Sequence, residues 1–304
     1  MPLMPRSCIS DRGRRVTQIF SSLLFTCMAL SSCAAVTAQA PQREDKAAVV
    51  NGGIWAIPVS AAVLADAAQG QWPRYQNRPV WVGLVNQQPM AVVGIALADT
   101  GTQKLLSNRG ELIAETPVRA YAYAEQHLKL TQTQYVTPNP EQNARFEREA
   151  TQQKAAYQVH SPLAGAQWPA FQWPLKGRIS SEFGLRRFFN GEPRAPHLGI
   201  DIAGKAGTPV LAPAVGTVAL IGDYFFNGRT VIIDHGQGLF SMLCHFSDIR
   251  VELGQKVTHD TVVGLVGATG RATAPHLHWT VSLNDSRINP ALLFSEPAIT
   301  GLTR

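Results

Sequence analysis

Beyond residue 50, apolar residues come in short β-branched bursts separated by polar turns, and seldom at helical spacing. PVWVGLV (79–85) and MAVVGIAL (90–97) flank NQQP and predict a hairpin, and TPVRAYAYAE (116–125) predicts a further strand. These bursts outline a small β-rich domain over residues 51–135. Asn139-Pro140-Glu141 then supplies an N-cap, a proline at the first helical position and an acidic first turn, which predicts a helix of four or five turns. Its scarcity of apolar residues predicts a linker, residues 136–165, that bridges domains and does not fill a core. From Trp168 to about Phe294 the stretches TPVLAP, GTVALIG, RTVIIDHG, LFSMLCHF, VVGLVG and HLHWTVSL follow at short intervals with no helical pattern between them. The expectation is a mainly β protein whose second domain, residues 166–296, is built on an antiparallel sheet, with a short tail at 297–304.

The first 50 residues break this pattern. Arg6, Arg12, Arg14 and Arg15 precede the apolar run IFSSLLFTCMAL at 19–30, the layout of an export signal too short to span a bilayer comfortably as a permanent helix. LSSC, ending at Cys33, resembles a lipobox, which would make residues 1–32 a lipoprotein signal peptide and Cys33 a lipid anchor. Cleavage after Ala38 or Ala40 is the alternative. Ala34 after the cysteine implies, by resemblance, the outer membrane. Residues 33–50 are small, polar and charged, as a flexible tether would be.

The formal charge of +6 falls by three on removal of residues 1–32, which carry four arginines and one aspartate. The remaining excess is small and scattered, suits a polyanionic envelope and excludes nucleic acid as a partner class. A lipidated chain would retain Cys244 as its one free thiol, so a disulfide-stapled scaffold is excluded and Cys244 is expected to pack as a small apolar residue.

Candidate chemistry starts at PHLHW. On a strand, His276 and His278 share a face while Leu277 takes the other. PHLGID adds His197 and Asp201, four residues apart, and SMLCHF adds His245, expected on the same face as Leu243. Imidazole and carboxylate together suit zinc better than calcium or magnesium, which prefer oxygen shells.

An HxxxD pair, an isolated strand-end histidine and an HxH pair, in this order, resemble the M23 family of zinc metallopeptidases, the lysostaphin-like enzymes. SSEFGLRRFFNGEPRAPHLGIDIAGKAGTPVLAPAVGTV, GDYFFNGRTVIIDHGQGLFSMLCHFSDI and VGATGRATAPHLHW extend the likeness over about 130 residues. Residues 51–135 are similar to the β-rich domain that precedes this peptidase in some Gram-negative envelope proteins. The resemblance implies one Zn2+ per chain held by His197, Asp201 and His278, with His245 and His276 as catalytic imidazoles and the choice of base between them open. It implies a metalloendopeptidase acting on peptidoglycan (murein) peptide cross-links in the periplasm, at D-alanyl-meso-diaminopimelate bonds. The alternative is a non-catalytic murein-binding protein or amidase activator carrying an M23-like domain, and a regulatory adaptor protein is a further partner to expect.

The other residues of note have plainer readings. His235 and Asp234 are expected to serve a turn, and His127, His160 and His259 to lie at the surface. Arg186 and Arg187 are candidates to grip a substrate carboxylate, Phe188, Phe189 and Tyr224–Phe226 to line a groove or fill the core, and Asn190 to act as a displaceable fourth ligand. The N-terminal half is expected to be able to lie across the groove. Ala274 stands where the family commonly has glycine, a substitution that would cost about 1 kcal/mol if the position needed a positive φ; VTHD (257–260) and Leu198 are further departures.

Overall fold

Short β-branched runs can bury both faces only if each face meets another layer, and the N-terminal sheet does so. The computed structural model describes residues 49–131, 133–161 and 167–294. The expected signal at 1–32, Cys33, most of the tether and the tail at 297–304 lie outside the described residues. Strands β1 (Ile54–Pro58), β2 (Trp81–Val85) and β3 (Gln88–Gly94) form an antiparallel sheet in the order β1-β3-β2. The β2–β3 hairpin closes on Asn86 and Gln87 at φ 49° and 66°, the left-handed pair that a tight two-residue turn demands. Ile54, Trp81, Met90 and Val92 join the main core, while Trp55, Ile57, Val82, Ala91 and Val93 face a second core.

That second core is closed by helix α1 (Ala61–Ala68), capped by the Ser60 side chain, and by strands β4 (Gly101–Leu106) and β5 (Leu112–Val118). The hydrophobic pattern does not predict α1. Nor is 116–125 one strand: β5 ends at Val118, and the chain resumes as β6 (Glu125–Leu128). In the gap the Tyr123 hydroxyl donates to the Asn51 carbonyl at 2.7 Å, so tertiary contacts override local β propensity there.

Helix α2 (Pro140–Tyr157) starts where the sequence predicts. Asn139 caps the Gln142 amide and the Gln142 side chain accepts from the Asn139 amide, a reciprocal capping box.

The large sheet carries the candidate site. Its strands are β7 (Ile179–Ser181), β9 (Ile200–Ala203), β10 (Gly216–Tyr224), β11 (Gly228–Asp234), β12 (Leu239–Phe246), β13 (Lys256–Val257), β14 (His276–Leu283) and β15 (Ser286–Ile288), with β8 (Arg186–Phe189) outside it. The order is β13-β10-β11-β12-β14-β9-β7, antiparallel throughout, with β15 paired to β14. Strand β8 pairs in parallel with β6, tying the N-terminal region to the C-terminal one. Alternation sends Val231, Ile233, Leu243, Leu277, Trp279 and Val281 into the main core, and Ile232, Phe240, Met242 and Cys244 to the opposite face beneath Tyr157 of α2. Cys244 is free and buried, as its sequence context suggests.

Candidate metal centre

The register of three strands brings the candidate ligands together. Asp201 on β9 pairs with His278 on β14, and His278 in turn pairs with Cys244 on β12. Ile200 and Ile202 point to the core, so Asp201 takes the other face, shared with His276, His278 and Thr280. His197 arrives from the loop before β9, its amide donating to the Leu185 carbonyl.

The three ligand atoms lie within 4.8 Å of one another. His197 Nε2 is 3.1 Å and His278 Nδ1 2.8 Å from Asp201 Oδ1, and the two nitrogens are 3.0 Å apart. On its far side His197 Nδ1 lies 2.7 Å from the Glu182 carbonyl oxygen, which can only accept, so Nδ1 carries the proton and Nε2 offers its lone pair. His278 Nε2 is held at 2.8 Å from Thr280 Oγ1. Arg187 Nη2 donates to Asp201 Oδ2 at 3.1 Å, leaving Oδ1 to face the imidazoles. Ring orientation set by an outer hydrogen bond is the arrangement metal-binding histidines show.

Burial pushes the His197 imidazole down to about 4, so it stays neutral near pH 7. For Asp201 burial acts upward, but contacts with His197 and His278 outweigh it and hold the carboxyl well below the usual carboxylate range. Two imidazole nitrogens and one carboxylate oxygen thus converge as electron-pair donors. A donor set of this kind fits a divalent cation of zinc type with a position left for water.

His245 reaches this face by breaking strand alternation. The sequence places it on the face of Leu243, and regular alternation there would have buried it in the core. Instead its φ is 66°, and the β11–β12 register slips between Arg229 and Val231. Phe246 takes the core position and His245 turns into the cleft. His245 Nδ1 donates to the Thr269 carbonyl at 2.8 Å and His276 Nδ1 to the Ala274 carbonyl at 2.8 Å. The two rings are 4.7 Å apart, with His276 Nε2 3.8 Å from Asp201 Oδ1. Burial, then the neighbouring His276 and His278, push His245 down to about 3.

All five residues line a cleft of about 500 Å³. Its walls include Leu128 and Leu130, and Ala150, Gln153, Lys154 and Tyr157 of α2. The N-terminal half thus reaches the cleft through Leu128, Leu130 and α2, while the β1–β3 sheet contributes nothing to the lining.

Some of the plainer expectations hold and others need correction. Arg187 is committed to Asp201, Ser181 and Gln126, and Arg186 pairs with Glu125 at the surface. Asn190 spends its amide on both polar atoms of the Leu130 peptide and is not a ligand. His160 is packed against Trp72, with both ring nitrogens buried. His259 Nε2 donates to the Ala170 carbonyl. Phe189 and Phe226 line the cleft, Phe225 and Tyr224 are buried, and Phe188 stacks on the exposed His127. His235 serves its turn, bonded to the Val215 carbonyl and Ser241. Ala274 is not among the residues of positive φ, so its methyl group costs nothing, and Thr258 and Thr261 close the 257–260 turn without glycine.

Sequence reasoning missed Arg187 as a partner of Asp201, Thr280, Thr269 and Arg271. Thr280 alone carried a signal, being two residues beyond His278 on the same strand face.

Peptidase family M23 matches residues 195–290, the span that holds the whole trio. A crystal structure assigned to peptidase M23 from Pseudomonas aeruginosa is 39% identical, with a TM-score of 0.62, over 83% of this chain and 96% of that one. The chain belongs to peptidase family M23. Among curated relatives, the peptidoglycan DD-endopeptidase ShyA of Vibrio cholerae is 40% identical over 124 residues, which is 40% of this chain and 29% of that protein. The DD-carboxypeptidase/endopeptidase Mpg of Neisseria meningitidis is 39% identical over 113 residues, 37% of this chain and 26% of that protein. The chain therefore matches less than a third of the length of these relatives.

Proposed function

We propose that the chain is a zinc-dependent endopeptidase that hydrolyses peptide cross-links of peptidoglycan, at D-alanyl-meso-diaminopimelate bonds. The observation that carries this reading is the convergence of His197 Nε2, Asp201 Oδ1 and His278 Nδ1 beside two further imidazoles in an open cleft. The two relatives named as peptidoglycan and DD-endopeptidases support the substrate class. When bound, zinc supplies an activated water and polarises the scissile carbonyl.

The remaining chemistry belongs to the chain. Thr280, Glu182 and Arg187 fix the three ligands. His245 and His276, each with Nδ1–H tied to a carbonyl, turn Nε2 toward the reacting amide, where they take a proton from the attacking water and return it to the leaving amine. Residues 1–32 then act as the export signal and Cys33 anchors the protein to the outer membrane, which places the cleft in the periplasm beside its substrate.

Metal content and muropeptide products test the reading together, for wild type and His278→Ala. About one zinc per chain with newly uncross-linked muropeptides, both lost in the variant, is the expected result. Metal binding without any product would remove the enzyme reading and leave a murein-binding protein.

A further inference from the structure

Of the arginines that line the cleft, Arg271 makes no side-chain hydrogen bond or ion pair among the described residues. Arg271 lines the wall beside the trio, its backbone amide anchored to the Phe226 carbonyl at 2.8 Å. Its guanidinium carbon lies over two aromatic rings, 4.9 Å from the Phe189 centroid and 4.8 Å from that of Phe226, so the group is held by cation–π packing. Among the described residues, its guanidinium makes no hydrogen bond or ion pair. The nearby charges do not supply one. Arg187 belongs to Asp201, and Arg194 donates to the Val136 and Pro193 carbonyls. Burial, then Arg187 and Arg194, push Arg271 down to about 10, a sign of a cation short of counter-charge that is nonetheless charged at neutral pH.

A guanidinium packed on aromatic rings bonds through its in-plane N–H edges. Those edges match the two oxygens of a carboxylate. Resting on the endopeptidase reading, we propose that Arg271 is a specificity-determining residue that binds a free carboxylate of the peptide substrate, close to the scissile amide. The D-alanyl-diaminopimelate bond offers one, because the carbon bearing the scissile nitrogen also bears a carboxylate. Arg271 would thus select cross-links in which that group is free over those in which it is amidated.

The test uses the full zinc-loaded chain and two D-alanyl-diaminopimelate peptides that differ only in that carboxylate, free or amidated. Each is made as a reduced-amide form for binding and as a hydrolysable form for kcat/KM. Wild type is expected to bind the free carboxylate about 10- to 100-fold more tightly; in Arg271→Met the ratio falls to within about 3-fold, and Arg271→Lys, which keeps the charge and loses the fork, lies between. Each ratio is internal to one protein, so a general loss of folding or metal does not imitate it. A wild type without preference, or a methionine variant that retains it, overturns the proposal. Discrimination between the reduced peptides with no cleavage of the hydrolysable pair would instead sink the endopeptidase reading and leave the carboxylate site standing.

Discussion

A backbone angle distinguishes two buried histidines at the ends of neighbouring strands, His245 near the end of β12 and His235 just after β11. His245, at φ 66°, leaves the alternation and enters the cleft, whereas His235 stays inside, donating through Nδ1 to the Val215 carbonyl and bonded through Nε2 to Ser241. Burial pushes His235 down to about 4, below the 6.5 of the unfolded chain. Between these values only the unfolded state takes the proton, so the stabilisation is present above pH 6.5 and is lost as pH falls toward about 4. His235→Gln keeps a donor and an acceptor and should flatten stability against pH across this window by up to about 1.4 kcal/mol per pH unit. Denaturant unfolding from pH 7 to 4 measures it, and identical slopes in the two proteins would refute the assignment. At this scale four of the five cleft residues were legible, because HxxxD and HxH are patterns of residue type at spacings that strands and their approach loops preserve; His245 entered only through the order of the three motifs. Their supporting atoms were not: Arg187, Thr269 and the Glu182 carbonyl meet the site only through the fold.

Turns between elements do work that strand patterns conceal. Asn284, in the β14–β15 turn at φ 45°, accepts from the Gly94 amide at 2.6 Å and donates to the Gly94 carbonyl at 3.0 Å. Gln237, in the β11–β12 turn, makes the same pair of bonds to Val82, at 2.9 and 3.0 Å. Two amide side chains thus satisfy buried peptides of the N-terminal sheet and fasten it to the hairpin ends of the large sheet. Asn284→Gly isolates the side-chain bonds, since glycine adopts this φ freely, and should destabilise the protein by about 2 kcal/mol. A midpoint of denaturation equal to that of wild type would show that water replaces the amide. The 79–97 hairpin and α2 were legible from alternation and capping, which are local. Helix α1 was not, because AAVLADAA is short and lacks a polar stripe to set against its apolar one, and the 116–125 strand was misread because Tyr123 binds Asn51.

Taken whole, the molecule uses α2 as a wall as well as a bridge. Its polar surface suggested a solvated strut, but three of its polar residues hold the 223–227 segment that forms the cleft rim. Arg145 donates to the Asp223 carbonyl at 2.9 Å, Glu149 accepts the Phe225 amide at 2.7 Å, and Gln153 accepts from Asn227 at 3.1 Å. The end of the helix lays Tyr157 and Ala156 over Phe240, Met242 and Cys244 on the sheet face opposite the main core. Burial pushes the Cys244 thiol up to about 12, and it is the sole cysteine from residue 49 onward. A chain beginning at residue 49 should therefore leave Cys244 inert to a thiol reagent, because thiolate and access are both lacking. A chain beginning at 167 lacks the helix, and its Cys244 should react at least about tenfold faster, because exchange then needs only local opening of an uncovered sheet. Labelling rates measured by mass spectrometry on the two chains decide the matter. Equal protection would mean that the sheet face closes on itself, and that α2 shapes the cleft without stabilising the domain beneath it.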